Sequence, residues 1–181
     1  MKQYLKVSGI LFAICAVAAI CLGFVNEVTA PQIAAIHKAQ TEAAYQQIAP
    51  GLTIGEQRDG DGAVVSYNIP LTKDGKISGY ILSLTGGGYG GSFTLVAAYN
   101  TDGSVMGAKM MGNSETAGLG KKSEESWYMK MFEGLGGDKP LPKTKNDLEN
   151  PDLVSGASIT FGGVSKALKA GSDFVRSLGG K

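Results

Sequence analysis

The stretch SFTLVAAYNTDGSVMGAKMMG, residues 92–112, contains two strand-like runs on either side of a turn. The first run is rich in β-branched and aromatic residues, which favour strands. Between the runs, NTDG at Asn100–Gly103 combines Asn, Asp and Gly, the residues that accept the backbone conformation of a tight hairpin turn. This stretch therefore predicts a β-hairpin and an antiparallel sheet.

The segments on both sides of this hairpin complete the predicted fold. AVVSYNIPL (residues 63–71) and KISGYILSL (residues 76–84) predict two further strands joined by a turn at Asp74–Lys76. Two helices are predicted after the strands, and their apolar faces comprise Trp127, Met131 and Leu135 in the first and Val164, Leu168, Val175 and Leu178 in the second. Strands followed by helices, without βαβ alternation, predict an α+β domain with a mainly antiparallel sheet and flanking helices.

The N-terminal segment predicts a single transmembrane anchor. From Val7 to Asn26 no side chain is charged, and twenty helical residues span about 30 Å, the thickness of a bilayer's hydrocarbon core. Because Lys2 and Lys6 precede the run and Glu27 follows it, the positive-inside bias predicts a cytoplasmic N-terminus and an outer C-terminal domain. A cleavable signal peptide is the alternative, but the run is longer than a usual apolar signal region and no clean cleavage site follows it.

Cysteine placement and net charge exclude several classes of function. Cys15 and Cys21 both lie inside the apolar run, so the outer domain has no disulfide, Cys-based metal site or thiol nucleophile. The bulky Ile20 disfavours a lipoprotein modification at Cys21. A net charge of +1 implies no nucleic-acid partner. His37 is the only histidine and lies near the membrane, where we expect a structural role.

These patterns divide the chain into three predicted parts. Residues 1–27 form the anchor, residues 28–50 a stalk helix, and residues 51–181 one extracytoplasmic domain that is long enough for a real core. The stalk is Ala- and Gln-rich, with Pro31 near its start and Pro50 at its end.

The glycine-rich stretch GGGYGG, residues 86–91, contains the spacing G-x-G-x-x-G. A dinucleotide-binding fingerprint must open a helix, whereas a strand-like run follows here, and no GK[ST] follows for a P-loop. A turn between strands is the simpler interpretation. The functional alternative is a loop without side chains, to which a flat ligand or a partner binds.

The segment NSETAGLGKKSEESW, residues 113–127, connects the last strand to a helix, with Ser123 as the predicted N-cap. Glu115 and Thr116 would direct polar groups at whatever binds at the top of the sheet. A plain connection and a binding segment both remain open.

SGASIT, residues 155–160, gathers three hydroxyl side chains just before the final helix. A serine hydrolase would need a base beside Ser158, but no histidine is near and no Ser-x-x-Lys arrangement begins here. Free N–H groups at a helix N-terminus attract phosphate, and the Ser155 and Thr160 hydroxyls can add hydrogen bonds. An ordinary Ser/Thr helix start is the alternative.

Taken in order, these parts resemble the G subunit of the Rnf ion-translocating electron-transport complex and its relative, the C subunit of the sodium-pumping quinone reductase. The matching features are FVNEVTAPQIA at the end of the anchor, GYGG, ETAGLGKK and DLVSGASIT, and they extend over essentially the whole chain. The resemblance implies an FMN-binding domain on one N-terminal membrane anchor.

In that family, a flavin transferase attaches FMN through its phosphate to a hydroxyl in a D-x-x-[S/T]-G-A-T type motif. The resemblance makes Ser158 the acceptor, a serine where threonine is usual. The other matching positions are Asp152, Ser155, Gly156 and Ala157, with Thr160 as a second hydroxyl that is not the acceptor. The flavin ring is expected near Glu115, Thr116, Gly118, Leu119 and Gly120 and near Tyr89 and Gly90.

The resemblance therefore implies an electron-transfer subunit that carries covalent FMN and is inactive alone. Its partners would be other subunits of a ferredoxin- and NAD-linked, ion-translocating membrane complex, and a flavin transferase for maturation. Two alternatives remain, a freestanding membrane-anchored flavin module in extracytoplasmic electron transfer and a membrane-anchored domain that binds no flavin.

Overall fold

A computed structural model describes residues 2–179 of the chain. Its first element, α1, is one helix from Lys2 to Ile48 that continues through Pro31, so the predicted anchor and stalk segments lie in a single helix. The chain divides into two compact units, of which the first ends at Glu42 and the second begins at Ala43. The apolar part of α1 has a mean hydropathy of 2.5 and is long enough to cross a membrane.

An antiparallel sheet forms the centre of the second unit, as the sequence predicts. The strands are β1 (Thr53–Ile54), β2 (Arg58–Asp59), β3 (Val65–Lys73), β4 (Lys76–Gly87), β5 (Ser92–Asn100) and β6 (Val105–Gly112). Their order in the sheet is β1-β3-β4-β5-β6, and β2 also pairs with β3. The strands β1 and β2 have two residues each, too few for a recognisable sequence pattern, and lie outside the predicted strands.

Both predicted hairpin turns are confirmed. Asp74 and Gly75 have φ angles of 51° and 77°, the left-handed conformations that a two-residue hairpin turn requires at both positions. In the second turn, the Gly103 N–H donates to the Asn100 carbonyl at 3.0 Å, and Asp102 Oδ1 accepts from the Ser104 N–H at 2.8 Å. The two turns join β3 to β4 and β5 to β6 as antiparallel neighbours.

The sheet is covered on both faces, which explains the almost continuous apolar sequence of β5. Leu95, Ala97 and Tyr99 belong to the core between the sheet and the C-terminal helix α3 (Ser158–Gly179). The alternate residues Val96 and Ala98 belong to a second core, formed with the segment from Ala44 to Ala49 at the end of α1. Alternate side chains of a strand point to opposite faces, so a strand buried on both sides has few polar positions.

The segment after β6 is less regular than the predicted helix. A 3-10 helix covers Gly120–Glu124, and α2 covers only Ser126–Lys130. The helical repeat is interrupted between these two short helices, so the buried face differs from the predicted one. The most deeply buried side chains are Tyr128, Met129 and Phe132, whereas Trp127 on the predicted apolar face is 36% exposed. Ser123 is not a helix N-cap, since its buried hydroxyl donates to the Gly120 carbonyl within the 3-10 helix.

Helix α3 follows its predicted apolar face. Val164, Leu168 and Val175 are fully buried, and Leu178 is half-buried near the helix end. Phe161, one turn from the helix start, is also buried and stacks on Phe132 with ring centroids 5.5 Å apart. This packing holds the N-terminal end of α3 against the core.

Candidate functional site

Three segments that are far apart in sequence meet at the Glu115 side chain. They are the glycine loop Gly88–Gly91 between β4 and β5, the connection Asn113–Gly120 after β6, and the first turn of α3. All three are candidate site segments in the sequence. The structure brings them together at the N-terminal end of α3.

Glu115 is only 5% exposed, and both carboxylate oxygens have a donor. The Gly90 N–H donates to Oε1 at 2.9 Å, and the Thr160 hydroxyl donates to Oε2 at 2.7 Å. The Glu115 N–H in turn donates to Asn113 Oδ1 at 2.9 Å. In the binding interpretation of this segment the side chain points at a ligand at the top of the sheet, but in the structure it points inward and joins the three segments to each other.

The glycines around Glu115 are there because the backbone approaches its carboxylate closely. A Cβ atom at Gly88 would overlap Oε1, a Cβ at Gly120 would overlap Oε2, and a Cβ at Gly90 would overlap the Ser114 carbonyl oxygen. Gly118 has a φ of 76°, which an L side chain rarely adopts. Much of the glycine in GGGYGG and AGLG therefore serves the packing around one buried acid.

Tyr128 lies behind this cluster, and its hydroxyl is buried with no hydrogen-bond partner among the described residues. Burial and the nearby Glu115 carboxylate both raise the pKa of Tyr128, so the phenol stays neutral. An unpartnered buried hydroxyl is uncommon in folded proteins. The sequence pattern gives no sign of it, because the apparent apolar face of this helix contains Trp127 rather than Tyr128.

Ser158 is the first residue of α3, and its side chain is exposed. Its hydroxyl makes no hydrogen bond within residues 2–179, and neither do the backbone N–H groups of Ser158, Ile159 and Thr160. The first N–H groups of any helix lack an intrahelical acceptor, and the helix dipole favours negative charge there. The arrangement can hold a phosphate group.

The residues before Ser158 shape the entry into α3. Asp152 and Ser155 are exposed, Ala157 is buried, and the Ala157 N–H donates to the Val154 carbonyl at 3.1 Å. Gly156 has a φ of 79°, and a Cβ there would lie 2.7 Å from Leu119 Cδ2. Gly156 therefore brings the ETAGLG segment beside the helix start.

Thr160 does not have the role that the sequence predicts. It is buried, and its only hydroxyl proton is donated to Glu115, so no proton remains for a phosphate, which at neutral pH mainly accepts hydrogen bonds. Thr160 instead fixes the glycine loop and the connection after β6 to α3. Among the residues expected near the flavin ring, Thr116, Gly118, Leu119, Tyr89 and Gly90 are exposed, with Leu119 at 42% and Tyr89 at 75%.

We predict that Thr160→Val destabilises the protein by about 1–3 kcal/mol, because a buried carboxylate loses a donor while the volume stays nearly constant. Thr94→Val is the matched control, since Thr94 is exposed on β5 and its hydroxyl has no partner among residues 2–179. Urea unfolding followed by the fluorescence of Trp127, the only tryptophan, measures both. Equal stability of the two variants would show that the Thr160–Glu115 contact contributes nothing.

Comparison with known proteins gives the class of the domain. The family model described as FMN-binding domain matches residues 88–173, which include the glycine loop, the ETAGLG segment and most of α3. Fold and site therefore define an FMN-binding domain behind an N-terminal helix able to span a membrane.

Similarity over the whole chain gives the family. The G subunit of the ion-translocating oxidoreductase complex of Cereibacter sphaeroides is 31% identical over 169 residues, which cover 85% of this chain and 76% of that protein. The G subunit of the Na⁺-translocating ferredoxin:NAD⁺ oxidoreductase complex of Acetobacterium woodii is 28% identical over 94% of this chain and 88% of its own length. This chain belongs to the family of G subunits of ion-translocating oxidoreductase complexes.

A solved structure is also similar to the chain. The C subunit of the Na⁺-translocating NADH-quinone reductase from Parabacteroides distasonis is 20% identical, with a TM-score of 0.48 over 77% of this chain and 83% of that one.

Sequence reasoning misses the residues that hold the site together. Gly88, Asn113 and Tyr128 carry no signal of their own, although Gly88 and Asn113 lie within candidate segments. The available signal is the density of glycine on both sides of Glu115, which indicates close backbone approaches.

Proposed function

We propose that this protein is the electron-transfer subunit of a membrane-bound, ion-translocating oxidoreductase complex linked to ferredoxin and NAD, and that it carries FMN as a phosphoester on Ser158. The Ser158 hydroxyl at the start of α3, which is exposed and has no hydrogen-bond partner among residues 2–179, carries this proposal. The names of the related subunits, which include those of ferredoxin:NAD⁺ oxidoreductases, support the assignment to such a complex.

The start of α3 suits a phosphoester in two ways. Ser158 is exposed, so a flavin transferase can reach its oxygen, and three N–H groups beside it can neutralise the phosphate charge. The transferase would join the Ser158 oxygen to the phosphorus next to the flavin in a flavin dinucleotide and break the bond from that phosphorus to the nucleotide monophosphate, which leaves and takes up the hydroxyl proton. Serine has the same nucleophilic oxygen as the threonine that is usual in the family.

Attachment through phosphate leaves the flavin ring unmodified, so FMN supplies its ordinary one- and two-electron chemistry when bound. We place the ring beside the exposed Leu119 and Tyr89 side chains, with Gly118 and Gly90 allowing close approach. Glu115 and Thr160 act behind this surface by fixing the loops. Asp152, Ser155 and Thr116 are exposed around the same helix start and are available to the phosphate or to the transferase.

The charges that flank the apolar run of α1 favour an outer location for the flavin domain. Lys2 and Lys6 precede the apolar run, and basic residues remain on the cytoplasmic side. A covalent bond then has a clear use, because a dissociated flavin would be lost from the cell surface.

We expect a protein with a C-terminal tag to co-purify with multi-span subunits in mild detergent, because one apolar helix with no charge between Val7 and Asn26 offers no path for ions. Recovery of a lone monomer in several mild detergents would favour a freestanding module.

The same tag also tests the orientation. In intact cells from which the outer layers have been removed, an antibody added outside should bind the tag. A tag that binds the antibody only after lysis would contradict the outer location of the domain.

A further inference from the structure

A narrow cleft runs along α3, beginning about one turn after the helix start. Its walls are α3 from Gly162 to Arg176 and the connection from Gly136 to Lys143, and its volume is about 540 Å³. Arg176 follows Gly162 by fourteen helical positions, so the cleft is about 21 Å long. Such a volume spread over such a length suits an extended chain better than a compact molecule.

The cleft concentrates positive charge. Five cationic side chains and two acidic ones line it, a local charge of +3 in a chain whose net charge is +1. The cations are Lys139, Lys143, Lys166, Lys169 and Arg176.

Part of this positive charge is available to a partner. Lys169 lies 2.6 Å from Asp173, and Arg176 donates to the Gly137 carbonyl at 3.3 Å. Lys139, Lys143 and Lys166 form no ion pair within the described part of the chain. Pro140 and the largely buried Leu141 also line the cleft.

The cleft lies on the same side of α3 as Ser158. Arg176 follows Ser158 by eighteen residues, which is five turns of 3.6 residues, and Gly162 follows it by about one turn. A molecule that occupies the cleft therefore lies next to the proposed flavin attachment point.

We propose that this cleft docks an extended acidic segment of a partner protein and thereby brings the partner's redox centre next to the flavin. The inference rests on the proposed function. An extended chain rises about 3.3 Å per residue, so the cleft accommodates about six residues. Complementary charge speeds encounter and fixes orientation, both of which an electron-transfer contact needs.

The test uses the full-length protein and a fluorescein-labelled octapeptide of alternating Glu and Ala, with binding followed by fluorescence anisotropy. We expect measurable binding at about 50 mM NaCl that weakens at least about tenfold at about 200 mM, because salt screens the charges of exposed lysines. The double variant Lys143→Glu/Lys166→Glu should lose at least a further tenfold. Lys73→Glu/Lys76→Glu is the matched control, since these lysines flank the β3–β4 turn and the change in net charge is the same.

Equal weakening in the two double variants would overturn the proposal, because net charge alone would then explain the binding. Absence of binding to the wild type, full displacement of the peptide by millimolar inorganic phosphate, or preferential binding of vesicles containing anionic lipid through the same lysines would also overturn it. The assay is repeated with Ser158→Ala protein, which we expect to bind the peptide normally. Flavin content then tests the proposed function, and peptide binding tests the docking site. Because Ser158→Ala should change only the first, a failure of one proposal can be told apart from a failure of the other.

Discussion

We expect Ser158→Ala to abolish covalently bound flavin while the protein stays folded. The substitution removes the one oxygen that we propose to carry the phosphoester, and it removes it from an exposed side chain with no hydrogen bond to lose within residues 2–179. Exposed substitutions of this kind usually change stability by less than about 0.5 kcal/mol. The measurement is flavin fluorescence of the denatured protein in a gel, from cells that express the flavin transferase.

Three further variants control this result. Ser158→Thr restores the residue usual in the family and should keep the fluorescence. Ser155→Ala should weaken attachment without eliminating it, because that exposed hydroxyl can only help to position the phosphate. Thr160→Ala should weaken it through Glu115 and the loops, since the Thr160 hydroxyl is buried. Fluorescence that persists in Ser158→Ala and vanishes in Thr160→Ala would mean that Thr160 is the acceptor.

We expect Gly163→Ala to destabilise the protein by about 1–3 kcal/mol, a cost typical of overpacking in a close contact. A Cβ at Gly163 would overlap the Gly87 carbonyl oxygen and lie 3.2 Å from Phe93 Cε1, so α3 would have to move away from the end of β4. The movement would also disturb the first turn of α3, which holds Ser158 and Thr160. We expect weaker flavin attachment together with the lower stability.

Gly162→Ala is the matched control for this prediction. Gly162 is the neighbouring helical residue, and a Cβ there meets nothing within 4 Å. Alanine favours a helix over glycine by about 1 kcal/mol, so this variant should be as stable as the wild type or more so. Urea unfolding curves compare the two. If Gly163→Ala proves as stable as Gly162→Ala, α3 does not pack against β4 as closely as the structure shows.

The sheet can be predicted from the sequence because its signals are local. Strand-like runs with turn residues between them locate β3 to β6 and both hairpins, and the apolar period locates the buried face of α3. The 3-10 helix at Gly120–Glu124 escapes prediction, because a change of helical repeat leaves no local pattern in so short a segment.

The candidate site can be predicted only as separate pieces. GGGYGG, the ETAGLG segment and SGASIT are each recognisable, but nothing in them indicates that Gly90 and Thr160 donate to the same carboxylate. Gly90 and Thr160 lie 25 and 45 positions from Glu115, and the bond from Thr160 forms only when α3 packs on the sheet. For the same reason the sequence indicates that the Thr160 hydroxyl can bond to a phosphate, and it gives no sign of the bond to Glu115.

The intact mass of the wild-type protein, purified from its native host's membranes, tests the central claim most directly. We predict a mass above that of the polypeptide by one FMN less one water, with peptide mapping placing the addition on Ser158. A polypeptide mass without this addition, from cells shown to flavinylate another protein, would contradict covalent attachment and remove the main support for an electron-transfer role.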